Sequence, residues 1–167
     1  MKKLLLSIVI VFGMSNLNAQ SFGLKAGVDF ASLKSKVESF SVSVSETGFY
    51  IGAFADIGVS ESFSFQPEVL YVSIDELDQI HIPLMAKFPV TEKLNILAGP
   101  ALGLLLDSGD GIKSFNYGIE AGAAYDITEK FFIEARYNLG LANLLEDAPN
   151  DPSLKMSGFF IGAGYKL

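Results

Sequence analysis

Apolar and polar positions alternate with a period of two along most of this chain. From Phe115 to Leu141 the charges Glu120, Asp126, Glu134 and Arg136 stand at even positions together with Gly118, Gly122 and Gly140, while Phe115, Tyr117, Ile119, Tyr125, Phe131, Ile133, Tyr137 and Leu139 stand at odd ones. Successive side chains of a β-strand point to opposite faces, so this rhythm predicts two strands, each with an apolar face and a face of glycine and charge. It recurs in about eight segments, near residues 21–31, 47–59, 62–74, 78–88, 94–106, 114–127, 131–142 and 156–167. No helical period of comparable strength competes with it.

Over all eight segments the apolar face carries no charge. The other face carries Lys25, Asp29, Asp56, Glu68, Lys87, Glu120, Asp126, Glu134, Arg136 and Lys166, with thirteen of the sixteen glycines. A soluble barrel would turn its apolar face inward. The glycines argue for the reverse arrangement. Glycine weakens a water-facing strand and gains nothing there, whereas a narrow curved wall needs small residues beside large fillers such as Tyr50, Phe54, Phe132 and Phe160. The charged face is therefore expected to point inward and the apolar face to meet lipid, with aromatic residues near the strand ends at the membrane interfaces.

The connections alternate in length. "SES", "PVTEK" and "TEK" follow the second, fourth and sixth segments, and "SLKSKVESFSVSVSE", "DSGDGIKS" and "NLLEDAPNDPSL" follow the first, fifth and seventh; the third, "DELDQ", is of middling length. Short turns at one end and longer loops at the other are the layout of bacterial outer-membrane barrels, the short turns being periplasmic. The expected fold is all-β, an eight-stranded antiparallel up-and-down transmembrane β-barrel. Pro67, Pro83 and Pro100 fall inside proposed strands and lack the N–H of a ladder, so bulges are expected at those points.

Composition adds the compartment. The chain of 167 residues opens "MKKLLLSIVIVFGMSNLNAQ", two lysines before an apolar run too short to span a bilayer as a helix. This is the layout of a secretory signal, with cleavage expected between Ala19 and Gln20, leaving residues 20–167 as the barrel domain. There is no cysteine, and hence neither a disulfide framework nor a lipid anchor on an N-terminal Cys. Without Lys2 and Lys3 the mature chain has 10 basic residues against 19 acidic, a net charge of −9, which argues against nucleic-acid binding.

The runs "FQPEVLYV", "IHIPLMAKF", "ILAGPALGLLL", "FIEARYNLGLANL" and the ending "GAGYKL", in that order, resemble the outer-membrane β-barrel family common in Bacteroidota, often labelled porin-like or PorT-like. The resemblance covers essentially the whole mature chain. It implies an eight-stranded barrel similar in architecture to the small OmpA-like and OmpX-like proteins, and it accounts for the prolines as family features. It carries no single mechanism, because the label takes in proteins of secretion systems and others of no known task. Related chains tend to carry an acidic residue before "IPL", where this one has His81. Tyr165 and the final Leu167 resemble a terminal signal for the barrel-insertion machinery, the expected partner during biogenesis alongside outer-membrane lipid.

The inward charges form the main constellation. Lys25, Asp29, Asp56, Glu68, Lys87, Glu120, Glu134 and Arg136 are expected to make a lumen charge network, with Arg136 across the tight "TEK" turn from Glu120 or Gly122 and bridging Glu120 and Glu134. An interior just wide enough for side chains favours a plug over an ion path. His81 is the only histidine, so a His-based metal cluster cannot be assembled, and no elbow motif supplies a serine partner for catalysis. No cofactor is expected. Asp107 and Asp110 in "DSGDG" lack the ligand spacing of a calcium loop. The long connections carry ten acids, Glu38, Glu46, Asp75, Glu76, Asp78, Asp107, Asp110, Glu146, Asp147 and Asp151, against Lys34, Lys36, Lys113 and Lys155. The expected role is a non-enzymatic outer-membrane barrel with acidic extracellular loops and an unidentified protein partner, if any, at those loops. The alternatives are a barrel subunit of an export or uptake assembly and, less favoured, a lipid-modifying enzyme using His81.

Overall fold

A computed structural model describes residues 20–37, 40–75, 77–109, 111–145 and 152–167. The expected signal, residues 1–19, lies outside them. Eight strands follow in chain order: β1 (Gln20–Val37), β2 (Phe40–Ser60), β3 (Phe63–Ile74), β4 (Leu77–Pro89), β5 (Leu94–Leu105), β6 (Phe115–Asp126), β7 (Phe131–Gly140) and β8 (Ser153–Lys166). Each pairs antiparallel with the next, and β8 closes on β1 with Ala26 opposite Ala163. Closure leaves no unpaired edge within the barrel wall, the condition for crossing a bilayer with strands.

The parity read from the sequence is the parity of burial. Along β7 Phe131, Ile133, Ala135, Tyr137 and Leu139 are exposed on the outer wall, while Phe132, Glu134 and Arg136 are buried inside. Outward aromatic residues gather in two belts. Phe131 packs against Tyr165 at 4.8 Å and Phe63 against Phe88 at 5.3 Å near the short turns; Phe49 and Tyr71 at 6.5 Å, with Phe115 and Tyr117 at 6.4 Å, lie toward the other end. Phe22 and Phe30 mark the two belts on β1, eight residues or about 26 Å apart along a strand, about 20 Å along the axis at a tilt near 40°. That span suits the apolar band of a small barrel.

The short turns repeat one device. In Thr91-Glu92-Lys93 and Thr128-Glu129-Lys130 the threonine Oγ1 accepts backbone N–H groups from the residues two and three places on, and Val90 and Ile127 donate to Leu94 and Phe131 at 2.8 Å. At the opposite end two expectations change. The first long connection is no loop: β1 and β2 continue as one hairpin to the pair Val37 and Phe40, because "FSVSVS" alternates valine with serine and sustains a ladder. At the third connection β3 and β4 stay paired up to Ile74 and Leu77, with Asp75 in the left-handed region at φ 48.

The bulges expected at the prolines are not formed. Pro67 faces a gap in the β2–β3 ladder between the pairs Phe54–Glu68 and Ile57–Phe65, Pro83 one in β3–β4 between Pro67–Leu84 and Leu70–His81, and Pro100 one in β4–β5 between Pro83–Ala101 and Ala86–Ala98. Two pairs drop out of each ladder and the register resumes unchanged. The missing N–H thus costs pairing on one side only, which a strand held by its other neighbour tolerates. Among the described residues the β2–β3 ladder shifts register at Gly58 and Ser60, beside its turn.

Candidate functional site

Inward parity on four strands brings Lys25 of β1, Glu68 of β3, Glu120 of β6 and both Glu134 and Arg136 of β7 to one level of the lumen. All five side chains are fully shielded from solvent. Lys25 Nζ donates to Glu68 Oε1 at 2.8 Å and to both oxygens of Glu134 at 2.9 and 3.0 Å. Arg136 Nη1 lies 2.9 Å from Glu68 Oε2 and from Glu120 Oε1, and Nη2 lies 3.2 Å from Glu134 Oε1. Only the contact to Glu68 is aligned as a hydrogen bond; the other two are ion pairs by proximity. Two cations meet three carboxylates, and His81 supplies a further donor: its Nε2 is 2.8 Å from Glu120 Oε2, which assigns the proton to Nε2. Tyr50 donates to Glu134 at 3.0 Å and Gln66 to Glu68 at 2.8 Å.

Apolar layers close the network on both sides. Toward the longer connections Ala31, Tyr50, Leu70, Val72, Ile74 and Phe160 pack together, with Tyr50 and Phe160 edge to face at 5.5 Å. Toward the short turns Phe54, Met85, Leu97, Ala124 and Phe132 do the same, with Phe54 and Phe132 edge to face at 5.5 Å. The cations use these rings. Lys25 Nζ stands 5.7 Å from the Phe54 centroid and Arg136 Cζ 5.9 Å from that of Phe160, on which the His81 ring is also stacked at 5.4 Å. Charges removed from water in this way keep their stability only through mutual pairing and such contacts.

The eight residues predicted for the network divide into three groups. Lys25, Glu68, Glu120, Glu134 and Arg136 are together; Asp56 and Lys87 form a separate partly buried pair at 2.5 Å nearer the short turns; Asp29 is buried and makes none of the ion pairs. Lys166 and Asp126 make a further pair at 2.6 Å, with Asn95 donating to Asp126 at 2.9 Å. Register places Gly122, not Glu120, opposite Arg136, and Asn138 opposite Glu120. Glu68 as a partner of Arg136 was not legible, because β3 and β7 are on different parts of the wall. Gln66 was missed as a member, though it shares the inward parity that would have nominated it; His81, whose parity places it in the lumen, was not counted among the charges of the network.

His81 is 2 % exposed, and Asn138 lies 3.3 Å from the same Nε2. His81 is enclosed in the lumen against Glu120 and the Phe160 ring. Asp107 lies in the connection after β5 and Asp110 outside the described residues. Of the ten acids assigned to long connections, Glu38, Glu76, Asp110, Glu146, Asp147 and Asp151 are also outside them. Glu46 and Asp78 belong to strands, as do Lys34, Lys36 and Lys155; Asp78 accepts from Tyr71 Oη at 2.7 Å.

The whole chain can be compared with known proteins on this footing. The attachment invasion locus protein Ail of Yersinia pestis is similar in structure with a TM-score of 0.53 at 17 % identity, over 90 % of this chain and 100 % of that one. Neisserial surface protein A gives 0.54 at 17 % over the same shares, and a de novo designed transmembrane β-barrel gives 0.53 at 12 %, over 88 % of this chain and 95 % of the design. At such identities these likenesses concern the fold. No curated protein sequence matches the chain. The family model described as an outer membrane protein beta-barrel domain matches residues 4–166, nearly the full length, and agrees with the closed eight-stranded wall, so this chain belongs to the outer membrane protein beta-barrel family.

Proposed function

We propose that this protein is a non-enzymatic barrel of the Gram-negative outer membrane, with a lumen closed by its own side chains and a structural or binding role exercised at the end that bears the longer connections. One observation carries the reading. Arg136 is 0 % exposed between two edge-to-face aromatic pairs, and three carboxylates, Lys25 and His81 crowd the same level, leaving no path for bulk solute. The short Thr-Glu-Lys turns would face the periplasm, after cleavage of a signal at Ala19, and the opposite end the exterior. There Glu46, Asp75 and Asp107 border a cup of about 730 Å³ walled by Ala31, Leu33, Val44, Ile74 and Met156, a surface suited to a partner. A narrower kinship with PorT-like barrels of Bacteroidota, and with it a place in an export or uptake assembly, draws support from the ordered motifs around Pro67, Pro83 and Pro100.

Conductance tests the reading. The folded chain inserted in a planar bilayer should give a current indistinguishable from that of the bare membrane; steady single-channel steps from the parent sequence would overturn it.

A further inference from the structure

Outside the lumen, the end with the longer connections carries a second feature that the closed barrel does not use. The connection after β5 pairs with the one after β7 through Ile112 and Leu145, Lys113 N donates to Leu144 O at 2.8 Å, and Leu144 N donates to Leu154 O of β8 at 2.8 Å. Four neighbouring stretches thereby form one concave outer face of about 960 Å³. Lys34 and Lys36 of β1, Lys155 of β8 and Lys113 line it. Lys34 and Lys155 stand directly opposite each other in the register, an arrangement of like charges that weakens a strand pair. None of the four makes an ion pair with a carboxylate among the described residues.

Position identifies what would neutralise them. Odd and even places on β1 and β8 put Lys34, Lys36 and Lys155 on the lipid side of the wall, outside the lumen. Lys34 is four residues beyond Phe30 of the aromatic belt, about 10 Å along the axis, and Lys113 is two residues from Phe115. This is the depth of headgroups, just outside the hydrocarbon. Phe115, Tyr117 and Leu141 continue the same groove downward as an apolar floor. Cations stacked over an apolar, lipid-facing floor match an anionic headgroup with acyl chains beneath it, whereas a soluble polyanion would have no use for the floor.

We propose that this groove binds the phosphate groups of an outer-leaflet phosphorylated glycolipid, the four lysines meeting phosphate oxygens and the floor resting on the acyl chains. The assignment to the outer leaflet rests on the outward placement of the longer connections proposed above; the binding itself does not.

The full-length mature chain is reconstituted in phosphatidylcholine nanodiscs containing either bisphosphorylated lipid A or its dephosphorylated form, and bound lipid is counted by native mass spectrometry. Both leaflets are accessible there, so the result is independent of cellular orientation, which surface labelling of Lys155 in whole cells reads separately. The parent should prefer the phosphorylated form, and the variant K34Q/K36Q/K113Q/K155Q should lose about a thousandfold of that preference. The corresponding four-arginine variant should keep it, and retained heat-resistant gel mobility of both variants shows that they are folded. A parent without preference, or a glutamine variant as selective as the parent, overturns the proposal. So does inositol hexakisphosphate binding the parent in detergent as tightly as lipid A does in nanodiscs, which would make the groove a site for a soluble polyanion.

Discussion

Arg136 is the residue on which the interior turns. Its guanidinium touches Glu68, Glu120 and Glu134, and the lumen offers those carboxylates only one other strong cation, Lys25. Arg136→Ala would leave three buried acids to share Lys25, so the barrel should lose about 3–5 kcal/mol, measured as unfolding at lower urea concentration in detergent. Arg136→Lys should recover only a part, because a single ammonium cannot reach three carboxylates on separate strands. The pair Arg136→Leu with Glu120→Leu should also recover a part and no more, since Glu68 and Glu134 stay behind with Lys25. A single Ala variant as stable as the parent would mean that the network carries none of the stability assigned to it.

At the scale of the strand, the inward glycines serve the wall more than its contents. A side chain on Gly122 would run into the carbonyl oxygen of Ala135 and the Cα of Arg136 on β7, and one on Gly118 into the carbonyl of Leu139. These are backbone atoms with no freedom to retreat. Crowding of the lumen comes second to crowding of the neighbouring strand. At Gly103 the atoms met are the terminal amide of Asn116, which can swing aside. Gly122→Ala should therefore destabilise the barrel clearly, by about 1–3 kcal/mol as overpacking does, and Gly103→Ala by less. Equal urea midpoints for the two would remove the distinction between backbone and side-chain neighbours.

For the molecule as a whole, the outer wall decides where it can exist. Ile133 is 47 % exposed on the outer wall, two residues inside the belt at Phe131, and Phe22, Leu24, Ile51 and Tyr137 are comparably bare. Such a surface is unsuited to water and fits a bilayer. Ile133→Arg should lower folding stability in lipid vesicles by about 1–3 kcal/mol, as expected of a cation between the interface and the midplane, and the same change at Lys93 of a short turn should cost nothing measurable. Normal folding of Ile133→Arg in lipid would put that face somewhere other than in the membrane core.

Much of this was settled by the sequence, residue by residue. Which way Glu134 and Ile133 point follows from their places in one strand, a local property with a period of two, and so do the number of strands, the repeated Thr-Glu-Lys turns and the inward set of charges. The same locality misled where composition imitated a loop. "FSVSVSE" read as a polar connection because serine is common in loops, yet its valines keep strand period and it pairs with β1 to the hairpin tip. The prolines were visible, but their effect was not: a missing donor can be met by a bulge or by dropping two pairs, and only neighbours on both sides fix the choice. Likewise no rule within a strand could bring Lys25 to Glu134, 109 positions away, or Arg136 to Glu68, 68 positions away. Those meetings depend on closure of β8 against β1 and on the stagger of every strand between, quantities that belong to the whole wall, and they divided one expected network into a central cluster, a pair at Asp56 and Lys87, and a solitary Asp29.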